Sequence, residues 1–349
     1  MYRMNAPHAS SQCAPRGAAF FPPVASSADE NEFCSECVRR EERISSYLSS
    51  CGTPSKDAKT YGELIDLLKT RGLSVPDAAR AEVLLRECHY YRLMAYRFPF
   101  VHAEDSDAFV EGTSFEDLWR LYVFDRRLRL ATLDAIERVE TALRSRWAHV
   151  LGLKYGALAY ENAEIHSGAP YRKALHGIYE AIVASKEPCI THFRNDLTPP
   201  ERVPIWSVCE ILTQGQLFTM INCLNDRAAR DEIFDGWGLD AKRMSSFMNV
   251  LRNVRNICAH HGRLWNKRLF FEMKFPKHPP ELGESLVRGE KSVYNVLVIL
   301  VWLVRKIAPQ SRWRSRIVAL VSEEREFVRD GMGFPRDWRA RPIWAASDV

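Results

Sequence analysis

One stretch of the sequence is long and regular enough to decide the kind of fold. From residue 114 to about 153, apolar residues fall at Leu121, Phe124, Leu128, Ile136, Val139, Leu143, Trp147 and Val150, spaced by threes and fours apart from one gap that Thr132 fills. That spacing draws a single buried stripe down an amphipathic helix. The period recurs on both sides of it. Residues 61–72 end on a glycine after basic residues, a helix stop signal. Residues 79–94 carry Val83, Leu84, Leu85 and Leu93, a helix is expected near 171–185, and Pro199, Pro200 and Pro204 break the chain before another at 206–224. Residues 242 to about 265 repeat the spacing at Met244, Phe247, Leu251, Val254 and Cys258. Residues 292–307 are apolar nearly all round, as a central core helix is. Strand-like alternation is nearly absent, and no internal repeat has a fixed period. The predicted fold is all-α.

Composition narrows the setting. The longest apolar run, Val296 to Val304, is about half of what a membrane span needs. The first residues lack the continuous apolar segment of a secretory signal. Nine cysteines at irregular spacings read as reduced thiols, which points to the cytoplasm. Residues 1–55, rich in Ala, Ser, Pro and Cys, read as a poorly ordered leader, and 56–345 as the working domain. Cys34 and Cys37 are half of a zinc ligand set, Cys51 is distant and no His pair follows, so no metal and no cofactor are expected.

A net charge of +5 says little until the charges are placed. Between Asp240 and Glu272 there is no carboxylate, yet Lys242, Arg243, Arg252, Arg255, Arg263, Lys267 and Arg268 all lie there. A solvated helix face ordinarily mixes both signs, whereas one without acids suits a polyanion. Asn249, Asn253, Asn256 and His260 follow at steps of four, three and four, roughly opposite the apolar stripe. The competing explanation is a helix-end basic cluster set against the macrodipole. A second acid-free stretch, between Glu140 and Glu161, holds Arg144, Arg146, His149 and Lys154.

Both stretches contain Arg-x-x-x-x-His: Arg144-Ser-Arg-Trp-Ala-His149 and Arg255-Asn-Ile-Cys-Ala-His260. Arg97 to His102 matches too, with a proline inside that opposes a regular helix. Five positions turn a helix about 140°, so Arg and His do not share a face, while Asn256 and His260 do. Such a set suits one reaction. The ribose 2′-OH of RNA lies next to the scissile phosphate, a neutral histidine takes its proton, arginine stabilises the charge on phosphate, and a second histidine protonates the leaving 5′ oxygen. No metal is required, and DNA, lacking the 2′-OH, is not a substrate.

Arg255-Asn-Ile-Cys-Ala-His-His-Gly-Arg-Leu-Trp-Asn266 resembles the hallmark segment of the bacterial abortive-infection (Abi) family related to AbiD and AbiF. Further blocks resembling that family are Tyr90-Tyr91-Arg92-Leu93 with Tyr96, Phe115 to Asp125 with Arg126 to Arg129, Pro204-Ile-Trp206 with Gly215 to Leu217, and Gly333 to Trp338 with Pro342 to Trp344. The family is related to HEPN domains, helical RNases with an Arg-x(4–6)-His site. The resemblance therefore implies a HEPN-like multi-helix bundle with two Arg-x4-His-bearing long helices. It implies Arg255, Asn256 and His260 as catalytic residues, with Arg144 and His149 as a first copy that lacks the asparagine.

RNA contacts are expected at Arg252, Asn253, Arg263, Lys267, Arg268, Arg146 and Lys154. His261 fits the longer spacing of the motif and is an alternative to His260, but seven residues after Val254 it is expected to pack, and Cys258 to belong to the core. Tyr90, Tyr91, Tyr96, Phe98 and Phe100 are either a hydrophobic corner or a stacking surface for bases, and Trp265, Trp338 and Trp344 are expected as core anchors. The partners implied are RNA as substrate, a second copy of the chain, and an antitoxin or phage-derived trigger, with no membrane. The two motifs form one composite site within the chain or across a homodimer. The expected activity is a metal-independent endoribonuclease of phage defence or a toxin–antitoxin pair. The alternatives are a non-catalytic RNA-binding or sensor protein and a helical scaffold meeting an acidic partner.

Overall fold

The computed structural model describes residues 42–47, 49–52, 57–197, 199, 201–269, 273–289 and 291–345. The chain divides into two units, Met1–Lys59 and Thr60–Val349. In the first, residues 42–47 and 49–50 are helical and exposed. The expectation for residues 1–41, including Cys34 and Cys37, lies outside the described residues.

The second unit is helical throughout. Its helices are α1 (Tyr61–Thr70), α2 (Ala78–Cys88), α3 (Tyr90–Met94), α4 (Phe115–Tyr155), α5 (Ala169–Ala184), α6 (Pro188–Thr191), α7 (Ile205–Ile211) and α8 (Gln214–Asn222). They continue as α9 (Arg227–Ile233), α10 (Ala241–Ala259), α11 (Pro280–Ser285), α12 (Val293–Ile307), α13 (Trp313–Ser322), α14 (Glu326–Asp330) and α15 (Pro342–Ala345). Among the described residues there is no strand, only isolated bridges such as His166 with Leu224. None of these helices is long and apolar enough to cross a membrane.

The 41-residue α4 is the axis of the unit, ~60 Å long at ~1.5 Å per residue. Ser114 starts it through a capping box with Asp117, and Gly156, at φ 84, stops it. All eight stripe residues are buried, as is Thr132 in the gap. Helices α3, α7, α8, α9, α10, α12 and α13 pack along it. Helix α12 is the expected central element, its residues from Val293 to Val304 all buried. Each large side chain so buried contributes about 1.5–3 kcal/mol.

Two expected helices are each divided. The segment 79–94 breaks at His89, whose φ of 60 ends α2 before α3 begins. The segment 206–224 breaks at Leu212 and Thr213, because Thr213 and Gln216 form a capping box that starts α8 afresh. That Thr-x-x-Gln signal stands in the sequence, but the apolar spacing runs on across it.

Candidate functional site

Helix α10 begins with Asp240, whose carboxylate accepts from the Arg243 N–H at 2.8 Å. Met244, Phe247, Met248, Leu251, Val254 and Cys258 are buried against α4, α8 and α12. Burial pushes the Cys258 thiol up to about 12, which keeps it protonated and makes it core rather than nucleophile. The helix was expected to run to about 265 but ends at Ala259. A left-handed corner stops it: the His261 N–H donates to Cys258 O at 3.1 Å, and the Gly262 N–H to Ile257 O at 2.8 Å. His261 supplies the positive φ of 57 that glycine usually provides in this motif. Its expected packing role is thereby corrected. The seven-residue spacing counts only while the helix lasts, and His261 is exposed.

The corner is held by its backbone. Asp125, fully buried on α4, accepts from the Tyr96 hydroxyl at 2.6 Å, from Arg129, and from the Leu264 and Trp265 N–H groups at 3.2 and 2.6 Å. Burial pushes its carboxyl above the ordinary value, and these donors oppose the shift. From α3, Arg92 donates to His261 O at 2.7 Å. The Trp265 indole donates to Val328 O at 2.9 Å and lies so close to Gly331 that a Cβ there would sit 2.9 Å from the ring. The main chain around His260 and His261 is therefore fixed while both rings face solvent.

Of the predicted site residues, Asn256 and His260 are exposed and Arg255 is half-buried. The His260 N–H donates to Asn256 O at 3.0 Å, which stacks the two positions. No side-chain hydrogen bond or ion pair joins Arg255, Asn256 or His260 to any described residue, and the same holds for Arg252, Asn253, Lys267 and Arg268. Among the described residues, seven polar side chains on α10 and the segment that follows it thus have no partner.

The other predicted cations are committed. Arg144 donates to the carbonyls of Cys209, Glu210 and Leu212 at 2.6, 2.9 and 2.6 Å and to Glu140 at 2.5 Å, closing the end of α7. Arg146 closes the end of α9 through the carbonyls of Ile233 and Asp235 and lies over Trp237. Lys154 pairs with Asp226 at 2.6 Å, and Arg263 donates to Ala95 O while stacking on Phe98 at 4.3 Å.

His149 is exposed, but it is not near His260. Leu264 and Trp265 touch α4 at Asp125, and His149 lies 24 residues further along that helix, ~36 Å at ~1.5 Å per residue. Four residues of chain between His260 and Leu264 recover at most ~14 Å of that distance. Within one chain His149 and His260 do not meet.

Tyr90, Tyr96 and Phe100 are buried, which makes them the hydrophobic corner, whereas Tyr91 is 72% exposed and Phe98 45%. Trp265, Trp338 and Trp344 are core anchors. Among the described residues no three His, Cys, Asp or Glu side chains converge as a metal site would require. Sequence reasoning missed Asp125, Arg129, Tyr96 and Arg92 as the residues that fix the corner. An acid directly after Phe124, within a buried stripe, was the visible signal.

No curated protein and no solved structure matches the chain. The sequence model of the Abi-like protein family matches residues 83–266, from the middle of α2 to just beyond the His260 corner and over half of the chain. The blocks at Tyr90, Phe115 and Arg255 fall inside that match, and the chain belongs to the Abi-like protein family.

Proposed function

We infer that this protein is a metal-independent endoribonuclease acting in abortive-infection phage defence, the role to which its family points. The observation that carries the reading is the unpartnered set Arg255, Asn256 and His260 on a corner whose backbone is pinned by Asp125 and Arg92. Helix C-termini carry partial negative charge, so a phosphate here gains nothing from the helix dipole. It has to be held by side chains. Arg252, Arg255, Lys267 and Arg268 supply the charge, and the Asn256 amide a neutral donor.

His260 takes the proton from a ribose 2′-OH. The freed oxygen attacks the adjacent phosphorus, the bond to the 5′ oxygen breaks, and a 2′,3′-cyclic phosphate forms. Arg255 stabilises the charge on the non-bridging oxygens. Protonation of the departing 5′ oxygen needs a second acid. With His149 far away in the same chain, His261 is the nearer imidazole, and a second copy of the chain is the other source.

The test is RNA cleavage by the purified chain in EDTA, wild type against His260→Ala, with product ends mapped. Cleavage with cyclic phosphate and 5′-OH ends is expected for wild type, and a loss of about 10²–10⁴-fold for the variant. The exposed position should leave stability within about 0.5 kcal/mol of wild type. Products with 5′-phosphates, or equal cleavage by both proteins, would overturn the mechanism. RNA binding without strand breaks by either folded protein would favour a non-catalytic RNA-binding role.

A further inference from the structure

Upstream of His260, α10 borders a cleft of about 500 Å³ lined by Arg230, Lys242, Ser245, Ser246, Asn249 and Lys274. Three cations meet three hydroxyl or amide side chains there, and no carboxylate is among its described lining residues. Lys242 and Lys274 are exposed and make no ion pair with a described residue. The Nε of Arg230 is shut off from solvent and has no hydrogen-bond partner. The Arg230 guanidinium makes no ion pair with a described residue, so its charge, like that of the two lysines, is left for an anion in the cleft. Of the acids on the flanking segments, Asp226 pairs with Lys154 and Tyr155, Asp231 with Arg227 and Asp240 with Arg243, while the exposed Glu232 and Asp235 do not line the cleft.

The cleft and His260 lie on one line. Lys242, Ser245, Asn249, Asn253, Asn256 and His260 succeed each other at steps of three and four, so they occupy one face of α10 up to its cap. Asn249 and Lys242 stand eleven and eighteen positions before His260, ~16 and ~27 Å along the axis. Between them and the corner, Arg252, Asn253 and Asn256 have no partners among the described residues.

We propose that the cleft is a phosphate-binding subsite that anchors a single RNA strand running along this face, well upstream of the bond presented to His260. At ~3.4 Å per nucleotide in a stacked strand, the separation is about five to eight nucleotides. The identity of the ligand as an RNA strand rests on the ribonuclease reading, whereas the anion chemistry of the cleft does not. The subsite sets a minimum length for tight-binding RNA and places the cut at a fixed offset from the anchored phosphate.

The test uses the full chain carrying His260→Ala, so that the strand stays intact, with and without Lys242→Ala and Lys274→Ala. Binding of a fluorescent single-stranded RNA decamer is followed against salt. Both lysines are exposed, so the fold should be unaffected, and Lys242→Arg with Lys274→Arg should restore binding. Removing two phosphate contacts should lower the magnitude of the log–log salt slope by about 1.4, at ~0.7 per phosphate on a single strand. Affinity should fall roughly tenfold or more, as expected for lost hydrogen bonds to charged groups.

An unchanged slope and affinity in the double variant would overturn the subsite, as would a decamer that binds neither protein. A nucleoside triphosphate that binds as tightly as the decamer and is lost in the same variant would assign the cleft to free nucleotide and overturn the strand. Cleft-dependent binding of the decamer, with no cleavage by the wild-type chain, would overturn the ribonuclease reading and leave the subsite standing.

Discussion

His261 holds a left-handed backbone conformation that glycine adopts more readily, and its ring points to solvent beside the proposed base. An unfavourable residue at such a position invites a functional explanation, and the second imidazole of the proposed reaction provides one. Replacing it with glycine separates the two roles, because the corner needs only the positive φ. His261→Gly should leave stability unchanged or raise it by up to ~1 kcal/mol, since glycine relieves the backbone at some cost in chain entropy. If His261 protonates the leaving oxygen, cleavage should fall by about 10²–10⁴-fold in the same protein. Thermal unfolding and single-turnover cleavage, measured on one preparation, read both effects. Full activity in a folded His261→Gly chain would remove the histidine from the mechanism and turn attention to a second copy.

Among the elements, α4 and α10 were legible because their apolar periods are long, and α4 also opens with its own capping box at Ser114 and Asp117. The helix breaks were not, because Cys209, Leu212, Leu217 and Phe218 are buried on both sides of the turn at Thr213. In the acid-free stretch of α10, Arg252 and Arg255 have no partner among the described residues. In the other stretch Arg144 and Arg146 are committed, because their guanidinium groups bond mainly to backbone carbonyls at the ends of α7 and α9, acceptors that leave no mark on the sequence. Lack of acids around a cation therefore did not mean that the cation was free. Arg144 is accordingly predicted to act on stability. Arg144→Met strands three carbonyls and the largely buried Glu140, and should cost about 3 kcal/mol. Lysine cannot reproduce the fork and should rescue little of it. The exposed His149→Ala should shift stability by less than about 0.5 kcal/mol and leave cleavage intact. Urea unfolding of both variants, with cleavage alongside, checks the pair. An inactive but stable His149→Ala protein would restore the first motif as part of the active site.

Across the whole molecule, segments beyond residue 266 complete what the family segment begins: α12 fills the core beside α4, and Val328 and Gly331 seat the indole of Trp265. Acid sensitivity of this unit should start at one side chain. Among the described histidines His166 alone is buried, stacked on Tyr171 at 4.8 Å and joined through Nδ1 to Asn162 O at 3.1 Å, while its Nε2 has no partner. Burial lowers its pKa from the ordinary histidine value, against the smaller opposing effect of the Asn162 carbonyl. A base whose folded pKa is depressed takes up its proton more readily in the unfolded chain. Its contribution to stability is therefore complete above about pH 6.5 and is lost as pH falls from there toward the folded pKa, by at most about 1.4 kcal/mol per pH unit. The segment at stake includes the bridge between His166 and Leu224, which ties the loop before α5 to the end of α8. Urea midpoints between pH 7.5 and 5.5 should decline for wild type and stay flatter for His166→Phe, which keeps the stacked ring and removes the proton site. Equal slopes in the two proteins would show that acid acts elsewhere.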